Sequence, residues 1–250
     1  DVMQMPADFG ELKELFEQAE KGAALKLEKF LAEAEYKYRT GIMEFAYKPS
    51  VSFTEYIEWK LIKSAFRLDL FSSFSAHARK YFKSPKLLKA IEFPILFLGA
   101  MPSKTPALYS MMNYADMKLG TWYPRGGMYQ LVNAMVRLAE ENNVDIRLNE
   151  AVETLETKNG IVTAVRTQHG EWNPDVVVAG ADYHHIETNL LEPGSRTYSD
   201  EYWDKKTLAP SCLIYYIGVN KKLKKLLHHN LFFDEDFDSH AESIYTTMEW

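Results

Sequence analysis

The chain has 250 residues, of which 46% are hydrophobic and 26% are charged. This composition is typical of a globular protein with one large or two small domains. The formal net charge of -6 gives no electrostatic case for a nucleic-acid partner.

The N-terminal half predicts a series of amphipathic helices. Asp8 can cap a helix over residues 8–21, which Gly22 ends. A second helix is expected to continue to Tyr38, with these side chains on one face: Leu27, Phe30, Leu31, Ala34 and Tyr38. Further helices are predicted over residues 53–66, 74–82, 85–91 and 106–117.

These helices are rich in Phe, Tyr, Trp and Met, which favours either an ordinary core or a cavity for a long apolar ligand. The apolar stretch 91–101 would reach about 16 Å as a helix, whereas the hydrocarbon core of a bilayer is about 30 Å thick. It is therefore too short to cross a membrane, but it can line an apolar pocket or enter a membrane interface.

Residues 120–128, with the sequence G-T-W-Y-P-R-G-G-M, separate the helical half from a strand-rich half. One interpretation is a rigid turn before a helix. The other is a site for an anion or a flat ring, because glycines before a helix leave backbone N–H groups accessible. The spacing alone favours the turn.

The second half predicts one helix and then mostly strands. The helix covers residues 128–140, with four inward side chains: Leu131, Val132, Met135 and Leu138. Strands are expected over residues 144–148, 152–157, 161–167, 176–179, 213–219, 231–233 and 243–248, and a helix within 183–191. Asn159-Gly160 indicates a hairpin, and the continuously apolar run 176–179 indicates a buried central strand.

The single cysteine, Cys212, excludes a disulfide within the chain and fits a reducing compartment. Because Cys212 adjoins the apolar run 213–219, we expect a buried thiol. The basic run Lys221-Lys222-Leu223-Lys224-Lys225 is interpreted as a solvated face, with contact to anionic lipid as the alternative.

Motifs for several common sites are missing from the sequence. It contains no G-x-G-x-x-G, no G-x-x-x-x-G-K and no G-x-S-x-G. The tandem histidines at 184–185 and 228–229 cannot easily hold one ion, because neighbouring residues on a strand point to opposite faces. We therefore predict no metal site and assign no catalytic residue.

Several segments together resemble the bacterial phytoene desaturase family, the FAD-dependent carotenoid desaturases of the amine-oxidase-like flavoproteins. They are residues 92–101, 106–110, 120–128, 138–141, 181–182, 211–218 and 228–230. The resemblance extends over the whole chain and corresponds to the middle half of a family member. It implies that both FAD anchors of the family lie outside this chain, which would then be a central fragment.

The resemblance implies an α+β fold with a mixed or antiparallel sheet and an inserted part of a two-part, Rossmann-like FAD-binding domain. Residues 1–120 would form the helical part of a substrate-binding domain. Residues 121–182 would belong to the FAD-binding domain, and residues 183–250 would form the sheet part of the substrate-binding domain.

The resemblance also implies site residues. Val152 matches a position whose backbone faces the FAD adenine, and Ala179, Gly180 and Ala181 match a strand end near the adenosine half. Gly180 departs from the family, where Asn is frequent, which puts any side-chain role there in doubt. The flavin–substrate boundary would be formed by Trp122, Tyr123, Arg125, Gly126 and Gly127. Arg125 would contact flavin or act electrostatically on the helix behind it.

The implied activity is removal of hydride from a long polyene such as phytoene, with flavin N5 as the acceptor and the protein supplying shape, position and dryness. The expected partners are an apolar polyene and the surface of a membrane, in a cytoplasmic, peripherally attached protein. Alternatives are a polyene isomerase or saturase, an amine or porphyrinogen oxidase, or a non-catalytic module that contacts lipid. The 250 residues alone are expected to be inactive and to bind FAD weakly or not at all.

Overall fold

The computed structural model of the chain describes residues 2–47, 51–52, 67–208, 211–233 and 236–247. The helix predicted over residues 53–66 lies outside the described residues. Backbone contacts divide the chain into two compact units, one of Asp1–Trp122 with Ala209–Trp250 and one of Tyr123–Leu208. The fold class is α+β, with many helices and one small antiparallel sheet.

The helices are α1 (Phe9–Ala19), α2 (Ala23–Tyr38), α3 (Phe74–Tyr81), α4 (Pro85–Glu92), α5 (Met111–Tyr114), α6 (Tyr129–Glu141), α7 (Tyr183–His185), α8 (Asp200–Asp204) and α9 (Phe237–Glu242). The strands are β1 (Val152–Lys158), β2 (Ile161–Thr167) and β3 (Gly170–Trp172). Turns of 3₁₀ or π type cover Arg39–Phe45, Phe93–Leu98, Ala107–Ser110, Ala115–Leu119, Ile186–Leu190, Pro193–Ser195 and Ser243–Thr247.

The helix starts follow the capping chemistry of the sequence. The Asp8 carboxylate accepts a hydrogen bond from the Glu11 amide at 3.0 Å and so begins α1. The Ser73 hydroxyl accepts one from the Ala76 amide at 3.2 Å and begins α3, and Pro85 stands at the first turn of α4. The helix predicted over 106–117 is present, although 3₁₀ and π turns flank its α-helical part.

The core of the first unit is an aromatic cluster between α1, α2 and the end of α3. Phe16, Phe30 and Phe82 have no exposed surface. The Phe82 ring meets the Phe16 ring edge to face at 5.5 Å and the Phe30 ring at 5.9 Å. Such pairs contribute about 0.5–1.5 kcal/mol beyond the area that they bury.

Glu20 joins the end of α1 to the start of α4. One of its carboxylate oxygens accepts hydrogen bonds from the Lys83 and Ser84 amides at 2.7 and 2.8 Å, and the other accepts one from Lys26 Nζ at 2.6 Å. Burial raises the pKa of Glu20, but these hydrogen bonds outweigh it and lower the pKa to about 2.

The sheet of the second unit has the order β1-β2-β3, with both pairs antiparallel. Asn159 and Gly160 have φ values of 55° and 76° and connect β1 to β2. Two consecutive residues with positive φ are the requirement of a type I′ hairpin turn. The hairpin predicted from Asn159-Gly160 is therefore confirmed.

Several other predicted strands are wrong. Residues 144–148, 176–179, 213–219 and 231–233 form no strand in the described structure, and residues 243–247 form a π turn. Val176 and Val178 are exposed, as is Cys212, so the predictions of a buried strand and a buried thiol are also wrong. A strand needs ladder partners, and no other described strand pairs with these runs.

Across the described ranges, we find no helix with the length and apolar character needed to cross a membrane.

We predict that Glu20→Gln destabilises the first unit by about 1–2 kcal/mol at neutral pH, once solvent screening near the surface is allowed for. The folded-state pKa lies below the ordinary value, so this stability is present above about pH 4.5 and is lost as the pH falls toward 2. Denaturant unfolding of both proteins across this range measures the effect. The matched control is Glu14→Gln, an exposed position of the same helix. A gap between wild type and Glu20→Gln that does not shrink at low pH would contradict the prediction.

Candidate functional site

The 120–128 segment contains a tight turn. Gly126 and Gly127 have φ values of 89° and 99°, and the Gly127 amide donates to the Pro124 carbonyl at 3.0 Å. Residues 124–127 thus form a four-residue turn with glycine in the third position, as a type II turn requires. The Gln130 amide then donates to the Gly127 carbonyl at 3.1 Å, as α6 begins. The predicted turn before a helix is confirmed.

The side chains of this segment face solvent. Trp122 is 87% exposed, and its indole N–H donates to the Leu119 carbonyl at 3.0 Å. Tyr123 and Arg125 are exposed as well. Among the described residues, the Arg125 guanidinium has no ion pair. The segment therefore offers an indole ring, a phenol ring and a cation to a ligand.

The apolar face of α6 is exposed. Its helical period is as predicted, but the four side chains expected to point inward are 47–73% exposed: Leu131, Val132, Met135 and Leu138. The prediction of their burial is wrong, because periodicity identifies an apolar face without showing what covers it. Exposed apolar faces of this kind usually mark contact surfaces.

The residues predicted to approach the adenosine half of FAD lie in accessible backbone. Val152 begins β1, which is an edge strand of the sheet, and its side chain is 39% exposed. Ala179, Gly180 and Ala181 form an exposed, irregular stretch. A Cβ built on Gly180 would meet nothing within 4 Å. No described contact joins Val152 to residues 179–181, so their shared role remains a prediction.

An apolar cleft of about 200 Å³ lies in the first unit. Its lining consists of Leu96, Phe232, Phe233, Phe237, His240, Ala241, Ile244 and Tyr245. The rim is fixed by Tyr245 Oη, which donates to the Leu96 carbonyl at 3.2 Å, and by an edge-to-face contact of Phe233 with Phe93 at 5.8 Å. Pockets for drug-sized ligands hold about 300–1,000 Å³, so this cleft suits only a short part of a long apolar molecule.

A second, polar cleft of about 570 Å³ lies between α2, Asp69 and α3. The His77 side chain is 3% exposed, and neither of its ring nitrogens has a hydrogen-bond partner in the part of the chain that the structure describes. Its Nε2 lies 3.6 Å from Glu33 Oε2, and its Nδ1 lies 3.8 Å from Asp69 Oδ2. We call Glu33, Asp69 and His77 the His77 cluster.

A buried ammonium stands beside this cluster. Lys37 Nζ contacts Asp69 Oδ2 at 2.8 Å, the Ala107 carbonyl at 3.1 Å and the Ser110 hydroxyl at 3.3 Å. Burial, and next the charge of Lys37, lower the pKa of His77 to about 4. The imidazole is therefore neutral at physiological pH and keeps a lone pair.

Sequence reasoning did not find this cluster. Glu33 lies on α2 and His77 on α3, whereas Asp69 stands outside the regular elements with a φ of 53°. Their separations in sequence match no metal-ligand motif. The only local signal was a polar residue on a buried helix face, namely His77 beside Phe74 and Ala78.

The chain matches a known protein family over most of its length. Residues 4–235 match the family model described as flavin containing amine oxidoreductase. The chain belongs to this family. The match covers most of both compact units, so the family assignment does not depend on one motif.

Several curated members of the family are similar to this chain. The carotenoid 3,4-desaturase of Haloarcula japonica is 36% identical over 253 residues, which cover 100% of this chain and 51% of the relative. The zeta-carotene-forming phytoene desaturase of Myxococcus xanthus is 27% identical, covering 92% of this chain and 44% of the relative. The phytoene desaturase of Neurospora crassa is 30% identical, covering 86% and 38%. The chain thus spans about half the length of these relatives or less.

The family cofactor is a flavin, FAD in the desaturases, and the described residues fit part of such a group. The open backbone around Gly180 leaves room for a flat ring. The sequence contains no glycine-rich loop for a pyrophosphate.

We predict that Gly126→Ala destabilises the second unit by about 1–2 kcal/mol, because an L side chain at positive φ is strained. The added Cβ would also lie 3.2 Å from Gln130 Cγ. Hydrogen exchange of the α6 amides and denaturant unfolding measure the loss. Gly194→Ala is the matched control, since its Cβ would meet nothing within 4 Å and its φ is not positive. Equal stability of the two variants would contradict the turn geometry.

Proposed function

We propose that the protein that contains this chain is an FAD-dependent desaturase that removes hydride from a long polyene, such as phytoene, in carotenoid biosynthesis. The observation that carries the proposal is the similarity to the Haloarcula japonica carotenoid 3,4-desaturase over all of this chain. The two other desaturases described above match the same stretch and support the same reaction class.

Within this proposal, the chain's residues position and shield the reactants. When bound, FAD supplies the hydride acceptor. The aromatic cleft beside Leu96 and Phe233 holds a short apolar part of the polyene and keeps water away from it. Trp122, Tyr123 and Arg125 would stand at the boundary between polyene and flavin, at the turn of residues 124–127.

We also propose that residues 121–182 form part of a two-part, Rossmann-like FAD-binding domain, with residues 1–120 and 183–250 on the substrate side. The exposed apolar face of α6 supports this assignment, because further chain of such a domain would cover it. Val152 and residues 179–181 would then contact the adenosine half of FAD through their backbone.

Product analysis tests the reaction. The protein that contains this chain is expressed with phytoene, and the pigments are analysed by absorbance and mass. A desaturase gives products that have lost one hydride and one proton for each new double bond, with absorbance at longer wavelength. A product of unchanged mass would indicate an isomerase, and a product that has gained hydrogen would indicate a saturase. Turnover of amines or porphyrinogens alone would indicate another oxidase of the family. Each of these results would overturn the proposal.

Measuring bound flavin tests whether the FAD site needs residues outside this chain. We expect the protein that contains this chain to purify with bound FAD and the 250-residue chain alone to bind it weakly or not at all, because the sequence has no pyrophosphate loop. Titration of each with FAD, followed by fluorescence, measures the difference. Stoichiometric FAD in the isolated 250 residues would contradict the expectation.

A second proposed property is peripheral contact with a membrane. Four exposed lysines at 221–225 surround Leu223 and are followed by Leu226 and Leu227, and these leucines are 42–55% exposed. A basic segment with accessible leucines matches an anionic lipid surface. The same contact is expected if the chain acts instead as a non-catalytic lipid-binding module.

Vesicle sedimentation tests this contact. We predict binding to vesicles that contain phosphatidylserine, with each lysine contributing about 1 kcal/mol and salt weakening the binding. Replacing Lys221, Lys222, Lys224 and Lys225 by Gln should abolish it. The control replaces four exposed lysines elsewhere: Lys21, Lys29, Lys158 and Lys205. Equal loss in both variants would show that only net charge matters and would contradict a defined surface.

A further inference from the structure

We propose that the His77 cluster is a binding site for a divalent transition-metal ion, with Glu33, Asp69 and His77 as its protein ligands. Each residue offers one ligand atom, and the three atoms lie within 4.8 Å of one another. One imidazole with two carboxylates is a donor set that suits Zn²⁺. The proposal is independent of the flavin reaction.

The unpartnered imidazole is the observation that distinguishes this site from a chance group of acids. A buried polar group without a hydrogen bond destabilises the folded state. His77 is 3% exposed, and neither ring nitrogen has a hydrogen-bond partner among the described residues, although each lies within 4 Å of a carboxylate oxygen. A metal bonded to Nε2 would satisfy that nitrogen.

The ligand atoms of His77 and Glu33 need little movement to bind one metal ion. With metal–ligand bonds of about 2.0–2.2 Å, two ligand atoms of a tetrahedral site lie roughly 3.4 Å apart. The separation of His77 Nε2 from Glu33 Oε2 is 3.6 Å, close to this value. Asp69 Oδ2 lies 3.8 Å from Nδ1, the other ring nitrogen. To join a metal on Nε2, the 29% exposed Asp69 side chain has to turn while one of its oxygens stays paired with Lys37.

Both carboxylates are held from outside the cluster. Tyr81 Oη donates to Glu33 Oε1 at 2.5 Å, which leaves Oε2 facing His77. Lys37 Nζ holds Asp69 Oδ2 at 2.8 Å. Hydrogen-bonded carboxylate ligands of this kind are usual around metals, because the outer donors fix ligand orientation.

The charge and shape of the cleft set the expected properties. Lys37, Arg67 and Lys80 add positive charge near the cluster, so we expect weaker binding than in closed structural zinc sites. The three ligands leave one tetrahedral position open to the 570 Å³ cleft. Water or a small ligand can occupy that position, as in zinc sites with three protein ligands.

Zinc titration of the protein that contains this chain tests the proposal. Metal is removed with a chelator, and Zn²⁺ alone is added in a calorimeter. The proposal predicts one saturable equivalent bound through the cluster and a higher melting temperature with Zn²⁺ than with chelator. Zinc X-ray absorption should show only nitrogen and oxygen ligands.

The variants locate the site. Glu33→Gln and Asp69→Asn should each weaken Zn²⁺ binding by about tenfold or more, and Tyr81→Phe, which removes a positioning donor, by about tenfold. Glu35→Gln is the matched control on the same helix, because that carboxylate pairs with Arg39 outside the cluster. It should leave binding unchanged. Asp69→Asn can fail to fold, because Lys37 then loses its partner. In that case Glu33→Gln tests the site, since the Glu33 side chain is half exposed and its replacement leaves no buried charge unpaired.

Three results would overturn the proposal. One is the absence of saturable Zn²⁺ binding by the wild type. Another is wild-type affinity in Glu33→Gln, which would place the ion elsewhere. The third is equal weakening by Glu33→Gln and Glu35→Gln, which would reduce the effect to general negative charge on α2.

Discussion

The packing of Phe82 against Phe16 and Phe30 is the contact on which the first unit depends. All three rings are fully buried, and they hold α1, α2 and the end of α3 together. This packing fixes which face of α2 is turned inward. Lys37 follows on that inward face, so its ammonium is buried and must find partners within the protein.

The burial of Lys37 on α2 determines the charges in the polar cleft between α2, Asp69 and α3. The ammonium of Lys37 is satisfied by Asp69, Ala107 and Ser110, and its pairing with Asp69 places a carboxylate beside His77. Removing one member of a buried pair leaves an uncompensated charge, at a cost of about 3–5 kcal/mol. The same residues therefore stabilise the helices and form the cluster for which we propose a metal.

Sequence reasoning succeeded where local chemistry decides the structure. Asp8 and Asn159-Gly160 fix their own backbone geometry, so a helix start and a hairpin could be predicted. The runs 176–179 and 213–219 were predicted as strands, but a strand depends on partners that a single segment does not reveal. The burial of the α6 face depends in the same way on a neighbour. The His77 cluster escaped prediction because its members come from distant positions, whereas the family was visible in motifs along the whole chain.

We propose that a protein containing this chain transfers hydride from a polyene to FAD. Anaerobic mixing of the oxidised, FAD-loaded protein with phytoene in detergent tests this half-reaction directly. If hydride passes from phytoene to FAD, the yellow absorbance of oxidised flavin is lost as a more unsaturated product appears in equal amount. Flavin that stays oxidised with phytoene but is reduced by an amine would contradict the account.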